Sequence, residues 1–209
     1  QGRVLETLTG VCDGRTVTVS SGTYTLENVT AVQDLGLSYT VITGSSVNYK
    51  PPSGTRQLIY KFFVTIYGSD GSSGYGNMFH YKLRLDGTYI TNSNVTRRHG
   101  GIYEQETYCI SYTIDIGGTD DIANGKIASW DEPKIIEVHA RDYDSNHEVL
   151  LHRVSEMNGS GSYTSVIKPR LEITAIGRKS DTTFLNSFFN ERKGQVLETL
   201  SGVCDGRTI

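Results

Sequence analysis

The 209-residue sequence predicts an all-β fold, an antiparallel β-sandwich of jelly-roll type. Three observations carry this. Long segments alternate apolar and polar residues with a period of two. Gly, Ser, Asn and Asp turns separate them, and Gly is abundant at 23. No long stretch shows a sustained helical period, and residues 182–192 (TTFLNSFFNER) read as a connector holding at most one helical turn or an irregular strand.

The strongest segment runs from Leu58 to Tyr67. Leu58, Tyr60, Phe62, Val64 and Ile66 form one wholly apolar face, which predicts a core-facing strand. Phe79, Tyr81, Leu83 and Leu85 alternate with His80, Lys82, Arg84 and Asp86, and Asp86-Gly87 then predicts a hairpin turn. Tyr108, Ile110, Tyr112, Ile114 and Ile116 alternate with Cys109, Ser111, Thr113 and Asp115. Ile136, Val138 and Ala140 alternate with Glu137, His139 and Arg141, and Leu171, Ile173 and Ala175 with Arg170, Glu172 and Thr174. Shorter strands are expected around 15–20, 23–27, 38–43, 46–49, 88–91, 123–129, 148–153 and 163–168. One-sided alternation means sheets with one wet face, and two such sheets pack as a sandwich. The Gly/Ser-rich stretches 68–76 and 158–162 read as loop tips.

An internal repeat sets the organisation. Residues 4–17 read VLETLTGVCDGRTV and residues 196–209 read VLETLSGVCDGRTI. The copies align at an offset of 192 and differ only at Thr9/Ser201 and Val17/Ile209. The repeat predicts one period of a tandem array plus the start of the next. The alternative is a motif duplicated locally, as two edge strands that pair. In the tandem reading, Val4, Leu5, Leu8, Val196, Leu197 and Leu200 are buried, and Asp13-Gly14 turns into a strand near Thr16.

With 20 Lys+Arg against 23 Asp+Glu, no basic excess points to nucleic acid or an anionic membrane. No run of about 18 apolar residues predicts membrane insertion. The chain opens on Gln1, as a mature or internal fragment does. Cys12, Cys109 and Cys204 make an odd count without CxxC or metal spacing, so no zinc site is expected. Cys12, Cys109 and Cys204 remain disulfide candidates, with Cys12 pairing with Cys109 within a unit or with a cysteine of a neighbouring chain. Asn28, Asn94 and Asn158 open Asn-x-Ser/Thr sequons and are candidate N-glycosylation sites.

No catalytic constellation stands out, and no cofactor or metal is expected. The five histidines lack HxH or HExxH spacing. Asp142-Tyr-Asp144-Ser-Asn146 resembles a calcium loop but lacks its Gly and closing Glu, so a tight charged turn is expected. Asp120-Asp121 reads as a solvated Gly-flanked turn. Trp130 reads as a plug at one end of the core or as a sugar-stacking platform.

PPSGTRQLIYKFFVTI, FHYKLRLDGTYI, YCISYTIDI, SWDEPKIIEVHARDYDSNHEVLLH and KPRLEITAIG occur in that order. Across residues 50–177 the chain resembles the C1q/TNF-like jelly-roll domains of structural and appendage proteins of large marine DNA viruses and phages. The resemblance implies a ten-stranded jelly roll, commonly a homotrimer, in a virion fibre or surface decoration, and no catalytic residues. Residues 1–49 lie outside it and read as an N-terminal β segment or connector, with 178–209 as a linker and the next repeat. Ile59, Phe63 and Tyr67, on the nominal wet face of their strand, are then candidates for burial against a neighbouring subunit.

Three functions follow as expectations. The first is a structural repeat of an extracellular or virion fibre, its partners being copies of itself. The second is an adhesin module recognising a host-surface glycan or receptor. The third, and least favoured, is a polysaccharide-active enzyme with paired carboxylates.

Overall fold

The computed structural model describes residues 2–68, 77–99, 104–146, 148–157 and 162–178. Its strands are, in chain order, β1 (Gly2–Val11), β2 (Thr16–Val19), β3 (Gly22–Thr25), β4 (Gln33–Asp34), β5 (Thr40–Val41) and β6 (Val47–Tyr49). Then come β7 (Thr55–Gly68), β8 (Asn77–Leu85), β9 (Thr88–Tyr89), β10 (Val95–His99), β11 (Gln105–Ile116) and β12 (Lys126–Ile127). The last are β13 (Lys134–Asp142), β14 (Val149–Leu151), β15 (Arg153–Met157), β16 (Ser162–Val166) and β17 (Arg170–Arg178). Helix among the described residues is confined to two single 3₁₀ turns, Thr91–Ser93 and Ile122–Asn124. No helix there is long and apolar enough to cross a membrane.

The protein is an all-β sandwich of mainly antiparallel sheets. One sheet runs in the order β1-β17-β7-β11-β12, with β14 bridging the end of β7 to β4. The other runs β10-β8-β13, with β9 paired to β8 and with β5 and β6 both paired to β13. One contact is parallel, where Asp115 and Ile116 of β11 lie beside Lys126 and Ile127 of β12.

The alternation read from the sequence sets the register. Leu58, Tyr60, Phe62, Val64 and Ile66 are all fully buried. They stand opposite Ile114, Tyr112, Ile110 and Tyr108 on one side and opposite Ala175, Ile173 and Leu171 on the other. In the second sheet, Leu85, Leu83 and Tyr81 stand opposite Ile136, Val138 and Ala140. A one-residue slip would turn every one of these side chains to water, so the pattern admits a single pairing. The two buried faces form one core, and the Phe79 and Tyr108 rings meet across it at 6.2 Å. Trp130 closes one end, buried with its indole N–H donating to the Tyr49 carbonyl at 2.9 Å. This settles Trp130 as a core plug rather than a free stacking platform.

Turn chemistry also matches. Asp86 (φ 47°) and Gly87 (φ 85°) both take left-handed backbone, and Leu85 pairs with Thr88 across the two-residue loop. Gly44 is constrained more tightly. Its φ is +84°, and an added Cβ would lie 2.8 Å from both Pro169 Cγ and Val29 Cγ2. Gly44→Ala is therefore expected to destabilise by about 2 kcal/mol or more, from left-handed strain plus overpacking. A thermal melt unchanged by this substitution would disprove the close approach.

The first 49 residues are not set apart from the sandwich. Val4–Gly177 form one compact unit, in which β1 lies beside β17, β4 pairs with β14, and β5 and β6 pair with β13. The expected division at residue 50 thus meets no break in the fold. Val4, expected to be buried, is 55% exposed, and Leu5 is half-buried, whereas Leu8 is fully buried. The buried side of β1 is carried by Glu6 and Leu8 and continues to Cys12; Leu5 is out of phase with it, and Val4 is in phase but falls beyond its buried stretch. Val196, Leu197 and Leu200, and the connector at 182–192, lie outside the described residues.

Candidate functional site

The outward face of the β8–β13 sheet gathers charged and aromatic side chains into one cluster. β8 presents His80, Lys82 and Arg84, and β13 presents Glu137, His139 and Arg141, in direct register. Strand geometry alone makes these six neighbours. The loop before β5 adds Tyr39, and β9 adds Tyr89.

Lys82 sits between two rings. Its Nζ lies 3.8 Å from the centroid of Tyr39 and 3.7 Å from that of Tyr89. Ring quadrupoles attract the ammonium there. Loss of water around it, and the nearby Arg141 guanidinium, push its pKa below the usual lysine value. Arg141 donates to the carbonyls of Asp142 (2.9 Å) and Tyr143 (3.1 Å) and stands 5.5 Å from the Tyr39 ring. Tyr89 Oη and His139 Nδ1 are 3.2 Å apart, and His139 Nε2 is 2.9 Å from Glu137 Oε1. The same carboxylate meets Arg84 at 3.5 Å. The patch thus sets three cationic side chains, Lys82, Arg84 and Arg141, against the Glu137 carboxylate, which meets Arg84, within a chain whose formal net charge is −3. Chemically the face is suited to hold an anionic group against Lys82 and Arg141.

His80 and His139 were both expected on wet sides of strands. His80 is there, 2.8 Å from Thr96 Oγ1, and burial together with Arg141 lowers its pKa. His139 is only 8% exposed, because Tyr89 packs edge-on over its ring. His152, in an expected strand, instead breaks it: it has φ 63° and is fully buried between β14 and β15. Its Nε2 lies 2.9 Å from Thr43 Oγ1, its Nδ1 has no hydrogen-bond partner among the described residues, and burial lowers its pKa to about 4.

The outer face of the other sheet explains much of its apolar character within the chain. Tyr67 is 2% exposed, with the Arg153 guanidinium 4.3 Å from its ring centroid. Phe63 is half-buried under Arg170 at 4.0 Å, and Ile59 is half-buried. Tyr67 therefore needs no neighbouring subunit to bury it, contrary to expectation. Cys12 and Cys109 are free thiols on opposite faces. Cys12 is buried in the core, donates to the Gly44 carbonyl at 3.2 Å, and is pushed up to about 12 by burial first and by Glu27 second. Cys109 lies on the exposed side of β11, so the two form no disulfide. Cys204 lies outside the described residues.

The remaining candidates have structural partners. Asn28 and Asn94 are exposed, and Lys168 Nζ donates to Asn28 Oδ1 at 2.7 Å, while Asn158 lies outside the described residues. Asp120 accepts from the Ala128 N–H at 2.6 Å and Asp121 from Asn124 Nδ2 at 2.7 Å, which closes the turn before β12. Asp144 accepts from the Asn146 N–H, as a tight turn requires. Asp142 was expected in that turn, but it continues the inward phase of β13 and is 4% exposed. Burial is the first cause that raises its pKa to about 7, and the Asp34 and Glu148 carboxylates add to it. Among the described residues no group of three or more His, Cys, Asp or Glu is placed to hold a metal ion.

No protein-family model matches the chain, and no curated protein matches it. Among solved structures it is similar to a chain from the infectious bursal disease virus Gx strain, at 11% identity and a TM-score of 0.35. That likeness covers 87% of this chain and 33% of the other. A chain from the Gt strain is similar at 11% identity and a TM-score of 0.33, covering 92% of this chain and 50% of that one. The chain thus spans between a third and a half of the length of these structures.

Proposed function

We propose that this chain is a structural module of an extracellular or virion fibre, in which jelly-roll units follow one another head to tail with a period of 192 residues. Its partners are copies of itself, as a homotrimer and as consecutive units, and it performs no catalysis. The observation that carries this reading is the repeated motif. Its first copy is no loose tail: Leu8 and Cys12 are fully buried, and the Cys12 N–H donates to the Pro169 carbonyl. A segment so built into one fold, recurring 192 residues later, is what a chain of identical domains requires. The resemblance to C1q/TNF-like appendage domains supports the jelly-roll topology, the trimer and the virion setting. The test is the full gene product, examined by light scattering and electron microscopy. A filament with further 192-residue copies and three chains per cross-section is expected, and a monomer without further copies would refute the proposal.

A second reading rests on the Lys82 patch: an adhesin face for an acidic host glycan, with sulfate or carboxylate groups paired to Lys82 and Arg141. On this reading Lys82→Glu abolishes retention on a sulfated polysaccharide matrix while leaving the thermal melt in place. Equal retention of both proteins would remove it.

A further inference from the structure

We propose that the open edge of β11, from Thr107 to Thr113, docks on the same edge of a second copy of this chain, the two strands pairing antiparallel about a twofold axis at Ile110. This goes beyond the fibre reading and does not rest on it, because a twofold contact is separate from the threefold axis of a trimer.

β11 is bonded on one side only along most of its length. It pairs with β7 without interruption from Gln105 to Asp115. On its other side β12 reaches only Asp115 and Ile116, and among the described residues no strand lies beside the run before them. Two bonds show which way the unused groups point. The Glu104 carbonyl accepts from Gly68 at the end of β7, whereas the Asp115 N–H donates to the Gly125 carbonyl on the β12 side. Backbone groups alternate sides along a strand. Even-numbered residues therefore face β7, and Thr107, Cys109, Ser111 and Thr113 turn both N–H and C=O to the open edge. The side chains of these residues are exposed as well.

An edge of this kind is normally blunted by charge, proline or a bulge. β10, at the edge of the other sheet, carries Arg97, Arg98 and His99. Between Glu106 and Asp115, β11 has no charged residue, no proline and no glycine, and its register with β7 runs without a bulge. The edge is thus regular and ready to accept a strand.

A second copy fits because the run is self-complementary. With the axis at Ile110, every open residue meets an open residue. Thr107 of one chain stands opposite Thr113 of the other, and Cys109 opposite Ser111. On the core face Tyr108 stands opposite Tyr112, and Ile110 opposite itself. Both tyrosines are only partly buried within one chain, so the second chain covers what remains. These are favourable cross-strand pairs, and no like charges meet. Neighbouring registers fit less well. An axis at Ser111 sets Thr107 against Asp115, whose N–H is taken by Gly125. An axis at Cys109 sets Glu106 against Tyr112 and draws in Gln105, whose side chain is held by the Ser155 N–H.

The test uses the full chain with Cys204→Ser, so that Cys204 forms no crosslinks. Ser111→Pro removes an N–H that faces the open edge, where a strand tolerates proline, and leaves the bonds to β7 in place. Thr107→Lys with Thr113→Lys is a second variant, which brings like charges face to face only in the dimer. Thermal melts report that each variant folds. Sedimentation equilibrium is expected to show the parent chain at twice the mass of either variant. Ser111→Pro should raise the dissociation constant at least about thirtyfold, since one hydrogen bond is lost from each chain. The register is read by diamide oxidation of Ser111→Cys. Residues opposite each other in a hydrogen-bonded pair have Cα atoms about 5.5 Å apart, within disulfide range. Ser111→Cys should therefore link to Cys109 of the other chain and run as a covalent dimer, and Ser111→Cys with Cys109→Ser should not. Equal masses for the parent and both variants at every concentration would overturn the inference, as would a Ser111→Cys crosslink that persists without Cys109.

Discussion

Phe62→Ala is expected to lower the free energy of unfolding by about 3–5 kcal/mol, while Phe63→Ala, one residue away, costs only about 1 kcal/mol. Phe62 is fully buried, opposite Ile110 and Leu171, so truncation leaves a cavity in the middle of the core. Phe63 points the other way. It loses chiefly its stacking under Arg170, at 4.0 Å from the ring centroid. Urea denaturation of both variants gives the contrast directly. A reversed contrast would mean that β7 is out of register by one residue, and equal losses that Phe63 is buried as deeply as Phe62. The pair also tests the proposed trimer. If the outer face of β7 meets a neighbouring chain, Phe63→Ala shifts the oligomer towards smaller species without a matching loss of fold stability. Size measured against concentration reads this, and no shift would place the trimer contact elsewhere.

Asp142→Asn is expected to stabilise the protein, increasingly as pH rises. Asp142 holds its proton up to about pH 7 in the fold, against an ordinary value of 3.8. Its contribution is therefore fully present below about pH 4 and is lost as pH rises through 7. Asparagine keeps an oxygen for the Val149 N–H, which now bonds Asp142 Oδ1 at 3.1 Å, and never ionises. The gain should start near zero at about pH 4 and level off above pH 7 at roughly 2–4 kcal/mol. His152 acts with the opposite sign. Its pKa falls from 6.5 to about 4, so its contribution is present above pH 6.5 and lost as pH falls towards 4. In wild type the two slopes oppose each other between about pH 4 and 6.5 and largely cancel. In Asp142→Asn the His152 slope stands alone, and stability should fall on acidification through that window. Denaturant midpoints at pH 4, 5.5, 7 and 8.5 decide it. A constant difference between variant and wild type would show that Asp142 ionises at its ordinary pH.

The strands with one wet face were legible because their alternation is a local property. β7, β8, β11, β13 and β17 each carry an apolar phase that only a sandwich core can bury, and all five lie where the alternation placed them. The Asp86-Gly87 hairpin and the buried position of Leu8 followed from equally local signals. The candidate site was not legible, because its partners are distant in sequence. Lys82 meets Tyr39 and Tyr89 only after β5 and β9 have docked around β8 and β13. No spacing along the chain announces such a clamp.

What the sequence determined alone is periodic or repeated: the all-β class, the phase of each long strand and the two copies of the β1 motif. What only tertiary structure decided is which outward residue becomes covered. Tyr67 is buried beneath Arg153, His139 beneath Tyr89, and Asp142 is carried inward on the apolar phase of β13. Alternation says to which side of a sheet a residue points. Solvation and pKa depend on what arrives on that side from elsewhere in the chain, and that is a property of packing.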